Sequence, residues 1–116
     1  MLIALAIFAA VGLLNQLRTL VAHLWENDGQ AMTVTAQYLD SVNVPPPSPF
    51  AALWAPVGLR YHALHHLMPS MPYHSLGEAH RRLRGHFEPE TTFWQANHKG
   101  MAPLLARIAR STMARH

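Results

Sequence analysis

No cysteine occurs among the 116 residues, which excludes disulfides, thiolate metal sites and cysteine nucleophiles. A metal bound here must be held by imidazole, carboxylate, amide or water. Charge is scarce as well: 13% of residues are charged while 50% are hydrophobic, whereas soluble domains carry roughly a quarter of charged residues. That imbalance favours a membrane or a membrane surface. The net charge is +3 and the pI about 10. The bases are nevertheless thinly spread apart from Arg81, Arg82 and Arg84, and no basic groove interleaved with aromatics is visible, so nucleic acid is not the expected partner. Basic residues beside an apolar segment fit the cytoplasmic side of a membrane protein. The length suits one modest domain, not two.

Histidine is what the chain has instead. His62-Ala63-Leu64-His65-His66 places imidazoles at i, i+3 and i+4, on one side of a helix. Converging neutral imidazoles build an apolar core poorly, because each carries an N–H and a bare nitrogen that need partners. They suit a metal site well, since imidazole binds iron, zinc and copper. A zinc protease is disfavoured, because the triplet lacks the glutamate that HExxH supplies as general base.

Along the chain, residues 2–14 form an unbroken apolar run. With Met1 its length is about 21 Å, short of a ~30 Å hydrocarbon core. Continued to about residue 26 it makes a transmembrane helix, with Asn27-Asp28-Gly29 as the stop. A signal peptide is the competing reading, but a basic leading region and a small-residue cleavage pattern are both missing. Residues 30–42 suggest a short interfacial helix. Pro45-Pro46-Pro47-Ser48-Pro49 reads as a stiff, extended connector that is not a domain boundary.

Residues 50–59 are apolar but too short to span, which suggests a re-entrant or interfacial segment with Trp54 as a headgroup anchor. Pro56 and Gly58 should bend it so that the His helix turns to the cytoplasmic face. Ser75 can cap a helix over residues 76–85, with Glu78 in its first turn. Phe93 and Trp94 should pack on the domain or the bilayer. Beyond Gly100, a helix over residues 104–114 carries an apolar face of Leu104, Leu105, Ile108 and Ala109, with Arg107, Arg110 and Arg115 off it. It reads as a basic amphipathic tail on anionic lipid.

The segment from His62 through His65-His66-Leu-Met-Pro-Ser-Met-Pro-Tyr-His74 to Leu83 resembles the last histidine box of the membrane fatty-acid desaturases. Upstream, Asn15-Gln-Leu-Arg-Thr-Leu-Val-Ala-His23 resembles the end of that family's last membrane helix. The resemblance covers residues 15–83 and implies His23, His62, His65 and His66 as metal ligands, with Arg18 and Thr19 lining the approach. Two iron ions, O2 as co-substrate, a membrane lipid or fatty acyl substrate and a ferredoxin or cytochrome b5-type electron donor follow from it. It also implies two further histidine boxes upstream, neither of which is in this sequence. The chain is therefore expected to be the C-terminal portion of a longer parent and inactive or nearly so alone.

Carboxylates commonly orient the free N–H of a ligating imidazole. Glu26, Asp28, Asp40 and Glu78 are the candidates here, together with Thr19, His74 and His80. For His80 a surface position beside Arg81 is the stronger reading, and His86, His98 and His116 read as surface residues.

The expected fold is all-α: a membrane-associated helical fragment with one transmembrane helix (1–26), a Pro-rich connector (45–49), an interfacial segment leading into a cytoplasmic His-bearing cap (50–86) and a basic tail (100–116). The expected place is the bacterial inner membrane. Hydroxylation or ketolation of a lipid or carotenoid is the neighbouring enzymatic outcome. A membrane-bound module that binds zinc or nothing, with no redox role, is the non-enzymatic one.

Overall fold

The computed structural model describes residues 1–114, and over them the chain is helical with no strand. Its elements are α1 (Leu2–Val21), α2 (Val34–Asp40), α3 (Ala51–Trp54), α4 (His62–Leu67), α5 (Tyr73–Arg84), a 3-10 turn (Thr92–Ala96) and α6 (Met101–Ala114). The all-α expectation with one candidate membrane-spanning helix is met. α1 is long and apolar enough to cross a membrane, and its 20 residues measure about 30 Å. Residues 2–16 along it are exposed.

α1 stops at Val21, about five residues before the sequence pattern suggested. The chain leaves the helix at Ala22 because extended backbone pairing takes over. The Leu24 N–H donates to the Asp40 carbonyl at 2.6 Å and the Val42 N–H to that of Ala22 at 3.0 Å. Trp25, at φ 59°, turns its indole N–H back onto the Leu20 carbonyl at 2.7 Å. One open end of the helix is thereby satisfied.

Residues 41–44 form a buried extended strip at the centre of the molecule. Ser41, Val42, Asn43 and Val44 are each 3% exposed or less. Their backbone groups reach three other segments. Val42 donates to Ala22 and accepts from Ala63 (3.1 Å), Asn43 donates to Ala96 (2.7 Å) and accepts from His98 (2.7 Å), and Val44 donates to Arg60 (2.8 Å). Buried N–H and C=O groups must find partners, and this strip finds them by stitching the ends of otherwise separate helices together. The Asn43 side chain adds one more link, its Oδ1 accepting from the Leu64 N–H in the first turn of α4 at 3.1 Å.

Apolar packing follows the same plan. Val21, Leu24, Val42, Val44 and Ala51 pack with Leu104 and Ile108 of α6. Tyr38, Ala63, Phe93 and Ala96 form a second cluster, and Tyr61, Leu64 and Leu76 a third. The short helix expected within residues 30–42 is α2, capped by the Thr33 hydroxyl, which accepts from the Ala36 N–H.

Several local expectations are corrected. The proline segment is not a straight connector: it turns at 46–47 and 49–50, which brings Ala51 back onto Val44. Trp54 is half-buried and packs against the core, and Phe50, Leu53 and Val57 are the large exposed apolar side chains there. Ser75 caps nothing, since α5 starts at Tyr73 behind Pro72 and no side chain caps it. On the apolar face of α6, Leu104 and Ile108 are buried in the chain's own core and Leu105 packs against it, so these three do not lie on lipid, while Ala109 is exposed. Arg115 lies outside the described residues.

Replacing Asn43 by Ala leaves the buried Leu64 N–H without an acceptor, which costs roughly 1–3 kcal/mol. The expected outcome is a lowered thermal midpoint in detergent, with the fastest gain in amide hydrogen exchange in α4. Unchanged exchange at Leu64 would contradict the role given to Asn43.

Candidate metal centre

The strip at 41–44 determines where the histidines meet. His23 faces Ser41 in an antiparallel bridge, and Ala63 is hydrogen-bonded to Val42 on the strip's other side. The start of α4 is therefore held beside residue 23, and His62 Nε2 comes to lie 3.1 Å from His23 Nε2. One helical turn on, His66 Nε2 lies 3.2 Å from the same His62 nitrogen. The three imidazoles present ligand atoms all within 4.8 Å of one another.

Imidazoles bound to one metal at ~2.0–2.1 Å have adjacent nitrogens about 2.9–3.4 Å apart, and the two short separations lie in that range. Hydrogen bonding among the rings accounts for the arrangement less well. His62 Nε2 faces two other Nε2 atoms, and a neutral imidazole carries only one ring proton. A cation at the focus uses all three lone pairs, so the residues fit a metal ion.

The other side of His23 supports that role. Its Nδ1 lies 3.2 Å from Ser41 Oγ and 3.5 Å from an Asp40 carboxylate oxygen. A carboxylate there favours the Nδ1–H tautomer and leaves Nε2 bare toward the focus. Burial, followed by the charges of His23, His66, His65 and Arg18, pushes the His62 pKa down to about 4. Burial also lowers that of His66. Both rings are thus neutral at physiological pH, the form that binds metal.

His65 stands beside the trio. Its ring lies 6.1 Å from that of His62 and 6.0 Å from that of His66, and it stacks on Tyr73 at 4.6 Å. Its Nδ1 is buried without a hydrogen-bond partner. Tyr73 is placed by Gly58, which has φ +84° and approaches so closely that a Cβ there would sit 1.8 Å from the Tyr73 carbonyl oxygen. Arg18, Thr19, Ala22, His23, Leu59, His62 and Tyr73 line a cavity of about 230 Å³ that opens beside the imidazoles.

Of the groups proposed to orient imidazoles, Asp40 alone does so. Glu26 instead pairs with Arg107 at 2.7 Å, and Glu78 is held by Arg81 and Arg82, which depress its carboxyl pKa to about 2. The Thr19 hydroxyl donates to the Asn15 carbonyl, and Asp28 and His74 are exposed. His80 stands outside the trio and is not a surface residue. It is 2% exposed, its Nε2 lies 3.0 Å from Asn97 Oδ1, and its ring packs against Tyr61 and Phe93. His98 is half-buried rather than on the surface, His86 is exposed, and His116 lies outside the described residues. Ser41 and Tyr73 escaped sequence reasoning. Ser41 follows Asp40 directly, but nothing in the sequence pairs it with residue 23.

The fatty acid desaturase family model matches residues 1–97 of the chain. A ceramide hydroxylase of Caulobacter vibrioides (strain NA1000 / CB15N) is 53% identical over 109 residues, which make up 94% of this chain and 31% of that protein. The chain thus spans under a third of the length of the relative it matches. No solved structure matches it.

Titrating the purified chain in detergent with Co(II) as a spectroscopic probe should show one site whose absorption reports nitrogen ligation. Asp40→Asn should weaken it by about 10–100-fold, and His66→Ala should weaken it further. Equal affinity in wild type and His66→Ala would remove the trio as a site.

His80 generates a pH dependence. Burial lowers its pKa below the ordinary 6.5, so in the acid range the unfolded chain binds the proton more readily. The stability from neutral His80 is present above pH 6.5 and is lost as pH falls from there toward the folded-state value. Replacing His80 by Gln should flatten the loss of unfolding free energy between pH 7 and pH 5 relative to wild type. An identical slope would contradict it.

Proposed function

This chain belongs to the fatty acid desaturase family, and on that premise we propose that it carries part of the iron site of a membrane enzyme that oxidises a lipid acyl chain with O2. The observation that carries this reading is the meeting of His23, His62 and His66 at the end of an apolar helix long enough to span a bilayer. Taking hydrogen from an unactivated alkyl chain needs an oxidant that side chains do not provide, and iron with O2 supplies that chemistry when bound.

The chain's own residues have separate tasks in this reading. His23, His62 and His66 would hold iron, and His65, whose Nδ1 is buried without a hydrogen-bond partner, would be the fourth imidazole available to the site. Asp40 and Ser41 hold the His23 ring with its lone pair inward. The cavity of Arg18, Thr19, Leu59 and Tyr73 receives the lipid segment to be oxidised and limits water at the site.

Four imidazoles do not complete two irons, since each iron accepts up to six ligands. The remaining ligands then come from a longer parent chain, and this chain by itself has little or no activity. Electrons come from a ferredoxin or cytochrome b5-type donor on the cytoplasmic face of a bacterial inner membrane. The kinship with a protein named ceramide hydroxylase favours hydroxylation of a ceramide-type lipid, while the family as a whole keeps desaturation as the second outcome.

Grafting this chain in place of the matching segment of the ceramide hydroxylase tests the proposal. The graft should yield an oxidised lipid in membranes: a gain of 16 mass units with oxygen-18 uptake from O2 for hydroxylation, or a loss of 2 for desaturation. The His62→Ala graft, present in membranes at the same level, should lose product at least 100-fold. Undiminished product in that variant, or stoichiometric zinc in place of iron in the active graft, would overturn the assignment.

A further inference from the structure

A second cavity, of about 670 Å³, lies along α6 and the 97–99 loop, apart from the imidazoles. Its lining is cationic, with Lys99, Arg107 and Arg110 beside His98 and Asn97. Arg107 is paired with Glu26. Lys99 and Arg110 have no acidic partner among the described residues, and Arg110 spends only its Nε–H on the Ala106 carbonyl. His98 completes the wall, its Nε2 buried and without a hydrogen-bond partner. Two uncompensated cations around one open space call for an anion with several acceptor oxygens.

The position of the groove says which anion. Leu104 and Ile108 of α6 pack on Val21 and Leu24, at the C-terminal end of α1. α1 matches a ~30 Å hydrocarbon core in length, so what packs on its end stands at the level of the lipid headgroups. We propose that Lys99, Arg110 and His98 form a site for the phosphate of an anionic phospholipid headgroup. The lipid bound there anchors α6 at the bilayer surface and is not the one oxidised. Charge, rather than the apolar face expected from the sequence, then ties this helix to lipid: Leu104 and Ile108 of that face are already buried, and the arginines line the opening.

The full chain in neutral detergent, given equimolar phosphatidylglycerol and phosphatidylcholine with the same acyl chains, provides the test by native mass spectrometry. Wild type should retain the anionic lipid at least fivefold over the zwitterionic one, about the effect of one basic side chain near a membrane surface. Lys99→Glu with Arg110→Glu should bring the ratio to about one. Both residues are exposed, so the fold does not depend on them. Arg84→Glu makes the same kind of charge change on α5, outside the groove, and should leave the preference intact.

The site is refuted by the absence of a preference in wild type, or by an equal loss in Arg84→Glu, which would make the effect one of net charge. Full displacement of phosphatidylglycerol by millimolar inorganic phosphate would overturn the headgroup assignment in favour of a free anion. The readout needs neither metal nor turnover, so its failure leaves the proposed oxidase function untouched.

Discussion

Backbone pairing along residues 41–44 is the constraint on which the histidine geometry depends. His23 follows a membrane-length helix and His62 opens a six-residue helix 39 positions later. Neither helix touches the other strongly enough to bring the rings together. The extended strip does it, with Val42 bonded to Ala22 on one side and to Ala63 on the other. Four buried residues with polar backbones must find hydrogen-bond partners, and satisfying them aligns two segments whose side chains then converge. The strip also supplies Ser41 to the His23 ring and Asn43 to the first turn of α4, so fold and site are set by the same few bonds.

Those two polar side chains act differently. Asn43 is fully buried and works on backbone: it holds α4 in place and never meets an imidazole in the trio. Ser41 and Asp40 work on the ring of His23 and decide which of its nitrogens is available. His80, which the sequence suggested as a surface residue, belongs to the first kind. It lies between Tyr61 and Phe93 against Asn97 and helps fix the loop that returns to the strip. A histidine in a histidine-rich chain is thus a ligand candidate only when the backbone aims it at the others.

The triplet His62, His65 and His66 was legible from spacing alone, because i, i+3 and i+4 share a helix face whatever surrounds the helix. The all-helical class and the apolar membrane-length helix were equally legible, since hydrophobic run length is a local property. His23 required kinship rather than spacing. The split within the triplet was not legible: His66 joins His62 at 3.2 Å while His65 turns onto Tyr73. That outcome depends on a close approach of Gly58 to the Tyr73 backbone, a long-range contact with no local signal. Glu26 and Glu78 looked as able as Asp40 to orient an imidazole, and arginines took both of them.

Composition and local pattern determined which atoms are available: imidazole nitrogens without thiolates, one long apolar helix, and an arginine-bearing last helix. These follow from residue identity and short-range geometry, which no partner segment alters. Tertiary structure alone decided that the membrane helix ends at Val21 rather than near residue 26, that Asp40 is the carboxylate beside the site, and that α6 turns its apolar side inward and its arginines to an open groove. The first turns on which distant backbone groups the buried N–H and C=O of residues 22–24 reach, the others on side-chain packing and ion pairs between distant segments, and that competition is settled only when the whole chain packs.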